Sequence, residues 1–110
     1  MVIKSPKAET PADCLSLEQL PNIGPTLAAN LRLIGIREPA DLRRIGIERP
    51  ADLRGQDAYA LYRRLCEATG QRQDPCVLDT FMAATDFMRG AAAAPWWAYT
   101  AERKATFGRL

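Results

Sequence analysis

The sequence contains no histidine. That absence removes histidine-based catalytic triads and any metal site that needs an imidazole ligand. Cysteine is scarce and poorly spaced for metal or redox work. Cys14, Cys66 and Cys76 are odd in number, and no two of them form a Cys-x-x-Cys pair. No Gly-rich phosphate loop of the Walker or Rossmann kind occurs. No apolar run approaches the roughly 20 residues of a membrane span, and Met1-Val2-Ile3-Lys4-Ser5-Pro6 lacks the apolar region of a secretory signal. Charge of one sign is also missing. A net charge of +2 over 110 residues does not by itself mark a nucleic-acid binder. These absences lead to the expectation of a cytoplasmic protein with reduced thiols, no cofactor, no metal and no enzymatic activity.

What is present is helix-forming material. Hydrophobic residues make up 47% of the chain. Alanine, the best helix former, supplies much of that fraction, while strand-favouring aromatic and β-branched residues are sparser. The length fits one domain able to bury a core. Residues 1–13 carry two prolines and no apolar period, and read as a flexible lead-in; residues 14–110 read as the helical domain. Ser16-Leu17-Glu18-Gln19 has the form of a capping box, cut short by Pro21. Leu27, Ala28, Leu31 and Ile34 make the apolar stripe of a helix opened by Pro25 and ended by Gly35. Asp57 is the expected cap of an amphipathic helix with Ala58, Leu61, Tyr62, Leu65 and Cys66 inside and Gly70 at its end. Asp74-Pro75 opens a helix apolar around most of its circumference, from Val77 to Met88, and therefore the expected centre of the core. Pro95 starts a last helix with Trp96, Trp97, Tyr99, Arg103 and Lys104, the last two either touching phosphate or, by default, forming a solvated helix end. The expected fold is all-α, a single domain of about five or six short helices.

Leu33–Arg43 and Arg44–Arg54 read as a tandem duplication, each with Ile-Gly-Ile, two polar residues and Pro-Ala-Asp-Leu-Arg. Two copies are too few for a solenoid. One copy is expected to pack beside the hairpin, the other to form an added turn and short helix at the surface.

The sharpest motif is Leu20-Pro21-Asn22-Ile23-Gly24-x-x-x-Ala28-x-x-Leu31. It resembles the helix-hairpin-helix motif of SAM-like domains, with Asn22 where that motif has its first glycine. Asn22 and Gly24 are the residues best able to adopt positive φ. Amides of the hairpin and of the next helix's first turn have no helical partner, and the helix dipole adds positive potential. That combination suits a phosphate, held by its backbone and read without base specificity. The candidate nucleic-acid-binding residues are Asn22, Ile23, Gly24, Thr26 and Arg32. Arg37, Arg43, Arg44, Arg49, Arg54, Arg63 and Arg64 add a modest cationic excess over Glu38, Asp41, Glu48, Asp52 and Asp57. A hairpin serving only helix packing or protein contact remains the other reading. Cys66 and Cys76 flank one interhelical loop, either as small buried hydrophobes or as a redox pair. Trp96-Trp97 either stack on bases or lock the last helix to the core.

Taken with Leu31–Ile36, Asp52-Leu53-Arg54-Gly55, Leu61-Tyr62-x-x-Leu65-Cys66, Asp74-Pro75-Cys76-Val77-Leu78-Asp79, Trp96-Trp97 and Arg103-Lys104, the hairpin resembles the small bacterial "pathogenicity locus" helix-hairpin-helix family. That family is related to the C-terminal domain of the competence regulator TfoX, and some members are labelled mitomycin resistance proteins. Its pattern is expected to hold one Ile-Gly-Ile segment, so the doubling is a departure. The resemblance implies a helical, DNA-associated fold. It leaves two functions: weak, sequence-independent DNA binding, or a protein-interaction module in DNA repair or regulation.

Overall fold

The computed structural model describes residues 7–43 and 55–108. Four α-helices form among them: α1 (Pro25–Leu33), α2 (Gly55–Thr69), α3 (Pro75–Met88) and α4 (Thr100–Phe107). Single 3-10 turns stand at Pro11–Asp13, Leu17–Gln19, Pro39–Arg43 and Trp96–Tyr99, and no strand occurs among the described residues. The expected five or six helices are thus four, because several short segments never exceed one 3-10 turn. Leu17–Gln19 shows why: Leu20 precedes a proline and is extended at ψ 145°, where a helix cannot continue.

Local chemistry sets most of the boundaries. Asp74 Oδ1 accepts from Cys76 N–H at 2.9 Å and Pro75 fills the first helical position of α3. At the end of α1, Gly35 takes φ +94°, so its N–H reaches Arg32 O (3.1 Å) and Ile36 N–H reaches Leu31 O (2.9 Å). Gly70 and Gly90 end α2 and α3 in the same way, with Gln71 N–H on Cys66 O and Ala91 N–H on Asp86 O. Helix α2 starts at Gly55, so Asp57 lies within its first turn, past the N-cap position expected for it.

Helix α3 is the centre of the molecule, as its all-round apolar pattern predicts. Every residue from Leu78 to Met88 is buried. Its polar members are matched in place: Thr85 Oγ1 donates to Phe81 O (2.9 Å) and Thr80 Oγ1 to Cys76 O (3.0 Å). Asp79, fully buried, accepts from Thr100 Oγ1 (2.8 Å) and Arg103 Nε (2.7 Å), which pins α4 across α3. Phe107 stacks on Tyr59 of α2 with centroids 4.8 Å apart. Around α3 pack Leu17, Leu20, Ile23, Leu31, Leu42, Leu61 and Leu65, each almost wholly removed from water. Burial of such side chains stabilises by about 1.5–3 kcal/mol each.

Within the stretch expected to be a flexible lead-in, residues 7–13 make defined contacts. Ala8 is buried and its N–H donates to Gln19 O at 2.9 Å, so the segment covers the hairpin. The first duplicated copy buries Ile34, Ile36, Pro39 and Leu42. Its turn is fastened by Asp41 Oδ2, which accepts from the N–H groups of Arg37 (2.9 Å) and Glu38 (3.1 Å). The second copy, Arg44–Arg54, and residues 1–6 lie outside the described residues.

Candidate nucleic-acid interface

The segment that the sequence reads as a hairpin spans residues 15–28. Gln19 reaches back as the capping-box pattern predicts, its Oε1 accepting from Leu15 N–H (2.8 Å) and Ser16 N–H (3.0 Å). Ile23 N–H then closes on Leu20 O at 3.2 Å. Asn22 alone among the described non-glycine residues adopts positive φ, +67°. Its Nδ2 donates to Ala94 O at 2.8 Å, tying the hairpin to the segment before Pro95.

Gly24 corrects the expectation made for it. At φ −94° and ψ −177° it is extended, a conformation open to any residue, and a side chain there would meet no atom within 4 Å. It is the N-cap of α1, and no side chain caps that helix. Pro25 brings no N–H to the first turn, so the free donors are the amides of Thr26 and Leu27. Gly24, Pro25 and Thr26 are all exposed. This is an open, uncapped helix end at the surface.

The other predicted site residues fare differently. Ile23 has no exposed surface. Its side chain is an anchor, and its carbonyl accepts from Lys7 Nζ at 2.6 Å. Arg32 is exposed but engaged, bound to both carboxylate oxygens of Glu18 at 2.9 and 3.0 Å. That hydrogen-bonded guanidinium holds the Glu18 carboxyl below its usual range. Arg64 caps the end of α1 by donating to Ile34 O, and Arg63 lies 5.9 Å from the Tyr59 ring centroid. The structure therefore brings Asn22, Gly24 and Thr26 together at one surface and ties Arg32 to a carboxylate.

Sequence reasoning missed Lys7, whose Nζ also donates to Glu18 O at 2.9 Å. Nothing local signals it; its contacts with Glu18 and Ile23 span eleven and sixteen residues. Lys7, Pro21, Asn22, Ala93, Ala94 and Pro95 line a groove of about 290 Å³ beside the hairpin. Just past it, Trp96 is half-buried and Trp97 is 64% exposed, the two rings meeting edge to face at 5.6 Å and 84°. Arg103, expected at a solvated helix end, is instead the ion partner of Asp79. Cys14, Cys66 and Cys76 are all unpaired thiols. Burial, and then the hydrogen bond to Asp74, push Cys76 up to about 11. Among the described residues no cluster of three or more metal-ligating side chains occurs, and no helix is long and apolar enough to cross a membrane.

The pattern of the pathogenicity locus family matches in two stretches, residues 10–44 and 39–105. The mitomycin resistance protein McrB of Streptomyces lavendulae is 43% identical over 95 residues, covering 86% of this chain and 80% of that protein. No solved structure matches. With a family match over most of its length and a relative this similar, the chain belongs to the pathogenicity locus family.

Proposed function

We propose that this chain binds nucleic acid, DNA in the first instance, by gripping the sugar–phosphate backbone at a helix-hairpin-helix turn spanning Pro21 to Thr26. The observation that carries this reading is the uncapped start of α1, where glycine stands in place of a capping side chain and Gly24, Pro25 and Thr26 are exposed. The positive end of a helix dipole with two unclaimed amides is an anion site. Its contacts carry no base information, so binding is sequence-independent, weak and steeply salt-dependent. The reading is of a binding module of the cytoplasm, without catalysis. The name of the relative offers mitomycin resistance as a setting for that activity. A second reading, a protein-contact module, draws on the exposed Leu15 (81%) and Leu33 (61%).

Thr26→Asp tests the first reading. A carboxylate in the first turn suits the helix dipole, so α1 keeps or gains stability, by about 0.3–1 kcal/mol. The same charge repels phosphate. The expected result is an unchanged or higher melting temperature with loss of oligonucleotide binding at low salt. Undiminished binding by the folded variant would place the site elsewhere.

A further inference from the structure

The turn Trp96–Tyr99 runs directly into α4, and the two share one division of faces. Trp96, Tyr99, Thr100, Arg103 and Phe107 are half-buried against the body, while Trp97, Ala101 and Lys104 are exposed. Ala101 and Lys104, three residues apart, share one side of α4, and Trp97 stands in the turn that leads into it. The exposed neighbours Ala98 and Ala101 carry only methyl groups, so the Trp97 indole stands above its surroundings. Trp96 meets it edge to face and limits its rotamers. An exposed indole offers a flat apolar face on which another ring can stack. Lys104 places a cation about two helical turns beyond the ring.

This face adjoins the hairpin. Asn22 bonds to Ala94 O, and Trp97 follows Ala94 by three positions, at most about 11 Å of chain. The groove lined by Lys7, Asn22 and Ala94 ends at Pro95, two positions before Trp97. We propose that the hairpin and this face form one track for single-stranded nucleic acid, with Trp97 as the platform on which an unpaired base stacks. The proposal rests on the hairpin reading and specifies its substrate. The hairpin amides hold a phosphate, the groove passes the backbone, and the indole takes a base that a duplex would keep stacked on its neighbours. Base–aromatic stacking tolerates any sequence, which agrees with backbone recognition at the hairpin.

The test titrates a fluorescently labelled oligothymidine and a matched-length duplex against the wild-type chain, Trp97→Ala, Trp97→Tyr and Thr26→Asp, with a thermal melt of each. Trp97→Ala is expected to weaken single-strand binding about tenfold, to leave duplex binding unchanged, and to be rescued by Trp97→Tyr. Unchanged single-strand affinity in Trp97→Ala, with binding lost in Thr26→Asp, overturns the stacking platform and leaves the hairpin reading standing. Absence of binding by the wild-type chain to either probe overturns both. Self-association abolished by Trp97→Ala, without oligonucleotide binding, assigns the face to a protein contact and also overturns the proposal.

Discussion

Asn22 has two separable roles. It occupies the left-handed region at φ +67°, and its side chain donates to Ala94 O. Asn22→Gly loses only the hydrogen bond, about 1 kcal/mol. Asn22→Ala loses the bond and keeps a Cβ in the left-handed region without the polar group that lets asparagine tolerate it, a conformation that costs about 1–2 kcal/mol and that glycine avoids. Chemical denaturation should therefore rank alanine as the more damaging change, and the reverse order would mean that the turn relaxes out of its left-handed conformation. Sequence named both Asn22 and Gly24 as residues able to turn the chain this way. It could not say which does, because that choice depends on where the following helix points. Cys76 gives a pH-dependent expectation at the same scale. Its thiol loses a proton near 9 in the unfolded chain and at about 11 in the fold. The folded state thus retains a proton that the unfolded state releases, and stability falls as pH rises between those values. Below pH 9 Cys76 has no effect on the slope, and alkylation at pH 8 followed by peptide mapping should find Cys76 slower than an unstructured cysteine. Equal rates would show that burial does not protect it.

At the scale of elements, α4 illustrates how a polar helix docks without burying a residue of its own. Its hold includes Phe107 on Tyr59, the Thr100 hydroxyl on Asp79 and the charge pair beneath it. Asp79 has no exposed side-chain surface and Arg103 has 11%. Arg103→Met leaves the carboxylate buried without its cation, which typically costs about 3–5 kcal/mol. Asp79→Asn combined with Arg103→Met removes both charges and should cost clearly less than the sum of the single changes. A double-mutant cycle by thermal melt measures this; additive effects would mean that the pair is not coupled. The pair marks the limit of what sequence made legible. Helices α2 and α3 were readable because their apolar spacing and the signals at Gly70 and Asp74-Pro75 act within a few residues. The partner of Asp79 lies twenty-four residues away, and that of Asn22 seventy-two. No local pattern announces either, so Arg103 read as a solvated helix end and Asn22 as a turn residue only. The position of the turn at Pro21–Gly24 was legible; its bond to Ala94 was not.

For the whole molecule, the open question is what the doubled segment requires. The copies Leu33–Arg43 and Arg44–Arg54 differ at three places, where Leu33, Arg37 and Glu38 are replaced by Arg44, Glu48 and Arg49. In the described copy all three differing residues are exposed. The residues that do work in the core, Ile34, Ile36, Pro39 and Leu42, recur unchanged as Ile45, Ile47, Pro50 and Leu53. So do Gly35, which ends α1, and Asp41, which fastens the turn, as Gly46 and Asp52. The two stretches of the family match overlap at residues 39–44, where the copies meet. One seat beside α1 is already filled by the first copy, and nothing that the described core uses is unique to the second. Deleting Arg44–Arg54 joins Arg43 to Gly55 and shortens the connection to α2 without removing a described core residue. Loop-closure entropy changes only with the logarithm of length, so the shorter connection costs or gains little unless it strains the junction. The deleted chain should remain folded and cooperative, within about 1–2 kcal/mol of the parent, the scale of an ordinary single substitution. A circular-dichroism thermal melt reads the result. A broad, non-cooperative transition would show that both copies belong to the core, and that the chain from α1 to α2 needs all of its present length to let the two helices meet.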